Sequence, residues 1–307
     1  MFWKPFRFLV QRLCPKAMYA AAKILGDMLF HIAVSKRMRL TNELDALSRH
    51  IPGLNHSQRT VKDAFRVWVC SELEVLVFPI MNERNIFSYV SYSGLEHLDR
   101  ALAQNKGVML LFAHFGANQM IMPAIGYRGY TMSQLLAPAT VWKEKLPGKR
   151  FTQMESDALA FRWEHERSLP VKQINIFGSI KGIFTCIRNN EILGMAIDGG
   201  GGRDRSTVRF LGRTAWFSNG AMEITQKTGC VVLPTFMVRQ PNGKSLMIIE
   251  PPMDMTVECS GTEELKRRIQ WFVQRLETYI VTYPDHYLHF LALRSFMQEQ
   301  GDSPFFV

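Results

Sequence analysis

Residues 94–119, GLEHLDRALAQNKGVMLLFAHFGANQ, contain an amphipathic segment, an apolar run and a sharp turn, in that order. The first part has the apolar spacing of a helix, and we expect Gly107 to close that helix. The run at 108–113 is apolar at consecutive positions, as strands buried on both faces of a parallel sheet are. The run stops at His114, and Gly116 then permits a tight turn. The stretch therefore predicts a helix, a buried strand and a histidine at the carboxyl end of that strand.

The same alternation continues towards the C-terminus. Further apolar runs occur at 130–137, 172–177, 192–197, 231–238 and 245–250, and helical patterns occur at 155–167, 179–190, 218–228 and 261–282. Such alternation is typical of strands in a buried parallel sheet with helices on its faces. We therefore predict an α/β fold with a mostly parallel central sheet flanked by helices. The predicted domain spans 41–295, and 296–307 form a C-terminal tail.

Residues 1–90 have helical patterns, and we expect two of the helices to begin at the capping residues Thr41 and Ser57. The first 40 residues mix aromatic side chains such as Trp3 and Phe6 with basic ones. Charged residues interrupt every window long enough to span a bilayer. We predict that 1–40 form an amphipathic segment on an anionic membrane surface. An ordinary amphipathic helix packed on the domain is the alternative.

The composition limits the classes of partner. The 307 residues include 37 Lys and Arg against 27 Asp and Glu, a formal charge of +10, and 47% are apolar. This is the composition of a globular protein, and its charge favours an acidic partner such as membrane phosphate or an acidic carrier protein. No nucleic-acid-reading motif is present, and nucleic acid is not predicted as a partner. The five scattered cysteines predict reduced thiols rather than a disulfide framework or a metal site.

A second strand end carries polar groups, in ILGMAIDGGGGRDRSTVRFLGR at 192–213. Asp198 ends the apolar run and precedes four glycines, after which come Arg203, Arg205, Arg209 and Arg213. Reactive groups gather beyond the carboxyl ends of strands in open α/β sheets. Glycines let the backbone approach a ligand, and arginines bind phosphate or carboxylate. We predict that Arg203, Arg205 and Arg213 bind an anionic group of the substrate; a surface loop with solvated charges is the alternative.

His114 is the candidate general base, because a neutral imidazole at a strand end is well placed to accept a proton. A core histidine bonded to a carbonyl is the alternative. His165 lies among charged residues, and we expect it on a solvated helix face. His286 and His289 are three residues apart, but no third ligand is evident, so no metal site is predicted.

Three stretches carry a resemblance to a known family: 94–119, quoted above; AIDGGGGRDRSTVRFLGRTAWFSNGAMEITQKTGCVVLPTFMVR at 196–239; and YPDHYLHF at 283–290. They resemble the lysophospholipid/glycerolipid acyltransferase superfamily, in particular its bacterial lipid A late (lauroyl and myristoyl) acyltransferases. The similarity is patchy and runs from about residue 10 to 295.

The resemblance implies transfer of a fatty acyl chain from an acyl carrier protein thioester, or acyl-CoA, to a hydroxyl or amine of a lipid or glycoconjugate acceptor. It also implies envelope biosynthesis at the cytoplasmic face of the bacterial inner membrane, with no cofactor. His114 would take the proton from the acceptor hydroxyl, whose oxygen attacks the thioester carbonyl. The turn residues Phe115, Gly116 and Asn118 would contact the substrate.

The sequence departs from the family pattern at Gln119, five residues after His114, where the family has an acid. A glutamine oxygen still accepts a hydrogen bond from the ring but supplies no charge. Three alternatives follow. Gln119 suffices; or Asp198 supplies the charge; or the chain is a catalytically weakened homologue that binds acyl chains or acyl carrier protein in a biosynthetic complex. We therefore take His114, Gln119 and Asp198 as the candidate catalytic residues.

Overall fold

The computed structural model describes residues 3–141, 151–199, 204–254 and 261–307. A seven-stranded sheet forms its centre and a two-stranded hairpin packs beside it. In chain order the strands are β1 Val90–Ser93, β2 Val108–Phe112, β3 Met132–Leu136, β4 Lys172–Asn175, β5 Ile192–Ala196, β6 Arg205–Phe210, β7 Arg213–Ser218, β8 Val231–Arg239 and β9 Ser245–Ile249. The central order is β1-β9-β8-β2-β5-β3-β4, and β6 pairs with β7.

The predicted α/β fold with a mostly parallel sheet is confirmed. Strands β8, β2, β5, β3 and β4 run parallel, whereas β9 is antiparallel to β8 and carries β1 as its parallel neighbour. Strand β2 lies in the middle, and every one of its residues is buried. Met109 belongs to the hydrophobic core on one face and Leu110 to the core on the other. The continuous apolar run thus reflects burial on both faces.

The register of β2 and β5 positions the candidate site. Phe112 pairs with Ala196 at the carboxyl ends of the two strands. His114 and Asp198 each follow two residues later, so the two side chains leave neighbouring strands at the same level.

Helices cover both faces of this sheet. In chain order they are α1 Trp3–Arg12, α2 Pro15–Ile32, α3 Val34–His50, α4 Gln58–Val77, α5 Leu95–Leu102, α6 Ile121–Gly126, α7 Gln153–Arg167, α8 Lys181–Arg188, α9 Gly220–Thr228, α10 Thr262–Thr282 and α11 Leu288–Glu299. Ser57 caps α4 as predicted, because its Oγ accepts the Thr60 N–H at 3.2 Å. The predicted start at Thr41 is wrong, since α3 already begins at Val34.

Two further local predictions need correction. Helix α5 ends at Leu102, and Gly107 instead takes a positive φ of 71° in the turn that leads into β2. Its N–H donates to Asn190 Oδ1 at 3.0 Å. No strand was predicted in the arginine-rich stretch, but residues 205–218 form the β6–β7 hairpin. Strand β1 was missed because it has only four residues.

The N-terminal helices pack on the domain through one side. Met18, Tyr19 and Ala22 of α2 are buried, and Asp27 forms an ion pair with Arg66 of α4 at 2.6 Å. Other apolar side chains of α1–α3 and of the junction between α1 and α2 are exposed, namely Phe8, Leu9, Leu13, Ile24, Met28, Ile32, Val34 and Met38. No single helix of the described residues is long and apolar enough to cross a membrane. Helices α2 and α3 meet that test only as a pair, with a 92° bend between them.

The C-terminal residues continue the hairpin. Helix α11 extends to Glu299, and the chain then returns so that Trp216 N–H donates to the Phe305 carbonyl at 2.9 Å. Val307 N–H donates to the Thr214 carbonyl at 2.9 Å, and the Phe305 side chain is buried. The segment predicted as a tail thus contributes an aromatic layer next to β7.

Candidate functional site

His114 and Asp198 form a hydrogen-bonded pair at the carboxyl edge of the sheet. The imidazole Nδ1 lies 2.7 Å from Asp198 Oδ1, and the backbone N–H of His114 donates to Oδ2 at 2.9 Å. Because a carboxylate only accepts, Nδ1 carries the hydrogen in this pair. Nε2 is then the ring nitrogen left to exchange a proton with a bound molecule.

Tyr287 completes the surroundings of the carboxylate. Its hydroxyl donates to Asp198 Oδ2 at 2.9 Å, and the Asp198 side chain is fully buried. Burial, followed by the negative charge of Asp198, raises the pKa of Tyr287 well above its ordinary value, so the phenol remains a donor. Tyr287 lies in the stretch 283–290 that carries part of the family resemblance, but no role was predicted for it. An aromatic residue three positions beyond Pro284 gives no local signal of this contact.

The imidazole of His114 packs against an aromatic ring and remains partly exposed. Its ring stacks on Phe290 with centroids 5.0 Å apart and planes 8° apart, and its side chain is 41% exposed. The partly enclosed position lowers the pKa of His114, but the charge and hydrogen bond of Asp198 outweigh that effect, and the net pKa lies above the ordinary value. Arg294 and Arg162 act weakly in the lowering direction. The pair therefore stabilises an imidazolium, the state that follows proton uptake.

The amide of Gln119 forms its hydrogen bonds with groups other than the imidazole. Its Oε1 accepts a hydrogen bond from Arg162 Nη2 at 2.5 Å, and its Nε2 donates to the Ser71 carbonyl. Arg162 also contacts Glu166 at 2.9 Å and Glu72 at 3.5 Å. Both functions of the Gln119 amide are thus used, and the contact with Arg162 joins residues 43 positions apart.

The turn that follows His114 is fixed by packing and by backbone conformation. Phe115 is buried and stacks on His286, with ring centroids 5.2 Å apart. Gly116 has a φ of 59°, and a Cβ there would collide with the Met237 carbonyl, so this position requires glycine. Asn118 opens the short 3-10 turn Asn118–Met120. Of these three predicted substrate contacts, Phe115 and Gly116 have structural surroundings that explain their identity.

The arginines predicted to bind an anion are dispersed along the hairpin. Arg203 lies outside the described residues. Arg205 lines an open cavity, and its Nη1 donates to Ser303 Oγ at 2.7 Å. The guanidinium carbon of Arg213 lies 4.0 Å above the Phe306 ring, and Arg209 contacts Gln270 of α10 through its backbone N–H. Arg205 and Arg209 share one face of β6 but lie four residues apart along the extended strand, whereas Arg213 pairs with Phe210 and lies on the opposite face.

The three other histidines considered from the sequence are held by contacts within the protein. The expectation for His165 is wrong: it is 1% exposed and its Nδ1 contacts the Val75 carbonyl at 2.9 Å, because α7 packs on the end of α4. His286 Nε2 accepts the Arg239 N–H at 2.8 Å. His289 lies beside Trp68, and burial, helped by Lys36, lowers the pKa of His289 to about 3. In the described ranges, no group of three or more His, Cys, Asp or Glu is placed to hold a metal ion.

Comparison with protein-family models gives a match over nearly the whole chain. A family model described as bacterial lipid A biosynthesis acyltransferase matches residues 5–294, a range that contains His114, Gln119 and Asp198. No curated protein matches the chain.

Proposed function

The chain belongs to the bacterial lipid A biosynthesis acyltransferase family, and we propose that it moves a fatty acyl chain from an acyl carrier protein or CoA thioester to a hydroxyl or amine of a lipid or glycoconjugate acceptor. Membership of the family indicates acyl transfer in lipid biosynthesis. One observation carries the finer proposal: the 2.7 Å contact between His114 Nδ1 and Asp198 Oδ1. It leaves Nε2 free to act as a general base beside an open face.

The proposed reaction is a direct transfer. His114 Nε2 takes the proton of the acceptor hydroxyl while the hydroxyl oxygen attacks the thioester carbonyl carbon. The carbon–oxygen bond forms, the tetrahedral intermediate collapses, and the carbon–sulfur bond breaks. The imidazolium returns its proton to the leaving sulfur. Asp198 stabilises the positive charge on the ring between the two proton transfers, as the aspartate of a Ser-His-Asp triad does.

The position of Gln119 favours an active enzyme over a weakened homologue. A glutamine at this position would disable the site only if the imidazole depended on residue 119 for its charge partner. Asp198 already contacts Nδ1, and Gln119 instead holds Arg162. We therefore assign Asp198 as the charge partner and Gln119 as a positioning residue for Arg162.

The proposed location is the cytoplasmic face of the inner membrane, with peripheral or monotopic attachment. Exposed apolar side chains of α1–α3, among them Phe8, Leu9 and Ile32, suit the headgroup level of a bilayer. Exposed basic residues such as Arg12 and Lys16 accompany them, and such residues are attracted to anionic lipid. The formal charge of +10 also supports an acidic carrier protein as the acyl donor.

The test is acyl transfer from radiolabelled acyl carrier protein in the presence of a membrane lipid extract. We expect label in a lipid product with the unaltered chain and none with His114→Ala or Asp198→Asn. Matched controls exist in His56→Ala and Asp45→Asn, because these residues form an exposed histidine–aspartate pair elsewhere. The controls should keep full activity.

Transfer by His114→Ala at the rate of the unaltered chain would contradict the role of the imidazole. If the unaltered chain transfers label neither from acyl carrier protein nor, in the same assay, from radiolabelled acyl-CoA, the enzyme proposal fails. Binding of acyl carrier protein, measured by sedimentation, would then support the alternative of a homologue that works in a complex.

A further inference from the structure

The segment 302–307 runs antiparallel beside β7. Trp216 N–H donates to the Phe305 carbonyl at 2.9 Å, and Ala215 forms an antiparallel bridge with Phe306. The range matched by the family model ends before this segment, so the match assigns it no role. Its position in the fold therefore has to be interpreted from its own contacts.

Side chains from two elements hold the turn that leads into the segment. Arg294 of α11 is 5% exposed, and its Nη1 lies 3.1 Å from Asp302 Oδ2. Its Nη2 donates to the Ser303 carbonyl at 3.3 Å. From the hairpin, Arg205 Nη1 donates to Ser303 Oγ at 2.7 Å. The segment is thus attached to helix α11 and to the β6–β7 hairpin at the same time.

Phe305 packs directly against the ring that supports the imidazole. Phe290 is 7% exposed, and its ring centroid lies 5.0 Å from that of His114, 5.0 Å from that of Tyr287 and 5.8 Å from that of Phe305. Phe290 and Phe305 meet edge to face at 89°, an arrangement that aromatic pairs favour. His114 and Tyr287 belong to the site itself. Of these three neighbours, Phe305 is therefore the one that holds Phe290 from outside the site.

Phe305 also supports the tyrosine that donates to Asp198. Phe210 of β6 contacts both Phe305 and Tyr287, with ring centroids 6.0 Å apart in each case. The Tyr287 hydroxyl donates to Asp198 Oδ2 at 2.9 Å. Phe305 is therefore one ring away from the imidazole on one side and one ring away from the phenol on the other.

Packing of this kind restricts the movement of the reacting groups. Phe305 is 3% exposed, and protein interiors are packed densely enough that removing its ring would leave a void beside Phe290. Phe290 could then rotate or shift, and the imidazole of His114 would lose the surface on which it stacks. A displacement of about 1 Å in a reacting group can cost about 10²-fold in rate. The orientation of His114 thus depends on a residue that is 191 positions further along the chain.

We propose that Phe305 is a positioning residue for acyl transfer. It holds the imidazole of His114 through Phe290, and it holds the hydroxyl of Tyr287 through Phe210. The inference rests on the proposed function for its catalytic meaning, whereas the orientation of the imidazole can be measured without any substrate.

The kinetic test compares Phe305→Ala with Phe78→Ala in the assay with radiolabelled acyl carrier protein and a membrane lipid extract. Phe78 is fully buried in the hydrophobic core that does not contain Phe305, so the control removes the same ring elsewhere. We expect Phe305→Ala to lower kcat at least about tenfold and to change the KM for acyl carrier protein by less than about twofold. Phe78→Ala should lose similar stability and keep its kcat. Phe305→Leu retains apolar bulk and should recover most of the lost kcat.

The stacking of His114 on Phe290 provides a readout that needs no substrate. The ring current of Phe290 acts on the imidazole C–H protons, because the two planes are 8° apart. With histidine labelled by ¹³C in its rings, the signal of His114 is the one that disappears in His114→Gln. We expect Phe305→Ala to move this signal towards its position in Phe290→Ala. Phe78→Ala should leave it in place.

A second variant leaves the aromatic layer intact and loosens the attachment of the segment. Asp302→Ala removes the ion pair with Arg294, and Glu299→Ala is its control, because Glu299 at the end of α11 pairs with Arg39 at 2.9 Å. Asp302→Ala should move the His114 signal in the same direction as Phe305→Ala, by a smaller amount. Glu299→Ala should not move it.

Two results would overturn the proposal. One is an equal loss of kcat in Phe305→Ala and Phe78→Ala. The other is a His114 signal that stays in place in Phe305→Ala, or in Asp302→Ala if Phe305→Ala does not fold.

The two readouts separate this inference from the proposed function. If transfer requires His114 but Phe305→Ala changes neither kcat nor the His114 signal, this inference fails and the enzyme proposal stands. If the signal moves as expected but the unaltered chain transfers no label, Phe305 still positions the imidazole and the enzyme proposal fails. A moved signal together with a lower kcat and an unchanged KM would support both.

Discussion

Asp198 holds His114 at two points, accepting the backbone N–H at 2.9 Å and contacting ring Nδ1 at 2.7 Å. The same carboxylate thus fixes the position of the backbone and the orientation of the ring. The arrangement predicts a large effect for Asp198→Asn, which keeps the size of the side chain. An asparagine presents either an NH₂ group or a neutral oxygen to Nδ1. We expect kcat for acyl transfer to fall about 10⁴-fold, as in a triad with the same change. A loss of less than tenfold would mean that Asp198 is not the charge partner.

Gln119→Glu restores the acid of the family pattern, and we expect it not to increase activity. Residue 119 does not contact the ring, so a carboxylate there would pair with Arg162 instead. The substitution also removes the amide that donates to the Ser71 carbonyl. We expect the free energy of unfolding to decrease by about 1–3 kcal/mol, measured by urea denaturation at pH 8. A rise in kcat above tenfold would show that residue 119 acts on the imidazole.

Tyr287→Phe removes one donor to Asp198 and keeps the ring. We expect kcat to fall by about tenfold with KM unchanged, because one hydrogen bond to a charged group contributes about 1.5–3 kcal/mol. Tyr279→Phe is the matched control, since Tyr279 donates to Glu250 at 3.0 Å away from the pair. Both variants should lose stability, but only Tyr287→Phe should lose activity. Equal activity losses would indicate a purely structural role.

The raised pKa of His114 determines the pH dependence of activity. A general base must be neutral, so kcat/KM should rise with pH through a folded-state pKa above the ordinary histidine value of about 6.5. The pH–rate profile of kcat/KM checks this directly. A rising limb centred below pH 6 would contradict the raised pKa.

The raised pKa of His114 also predicts that stability, unlike activity, decreases as pH rises. A pKa raised by folding means that the ion pair stabilises the protein below the unfolded-state value of about 6.5. This contribution should disappear as pH rises through the folded-state pKa. Urea denaturation of the unaltered chain and of His114→Gln at several pH values measures the difference. A difference that grows with increasing pH would refute the assignment.

Gly116→Ala should disturb the turn behind His114. A side chain there meets the Met237 carbonyl, whereas Gly129 also has a positive φ but has open space around it. Gly129→Ala should cost only the backbone strain of a positive φ, about 1 kcal/mol. We expect Gly116→Ala to cost more stability, because the steric contact is added to the strain. Thermal unfolding of both variants makes the comparison. Equal losses would show that the turn moves to accommodate the methyl group.

The α/β fold and the position of His114 and Asp198 at strand ends could be predicted from local sequence patterns. Consecutive apolar residues identified β2 and β5, and a polar residue ended each run. The hydrogen-bond partner of Gln119 could not be predicted, because Arg162 lies 43 positions away on a helix whose packing no local pattern encodes. Tyr287 is 89 positions from Asp198, and its contact depends on how α11 meets the sheet. The hairpin was missed because arginine and glycine are common in loops and carry little strand signal.

The pairing of Phe112 with Ala196 constrains how this family of sequences can diverge. A single inserted or deleted residue at the end of β2 or β5 would turn one member of the pair to the opposite side of the sheet. Such a change would separate the proton acceptor from its counter-ion even if both residues survived. Position 119 lies outside both strands, in the turn Asn118–Met120, and an amide occupies it in this chain. In relatives of this chain, the His–Asp pair is therefore best identified by a polar residue two positions beyond each of two adjacent strands.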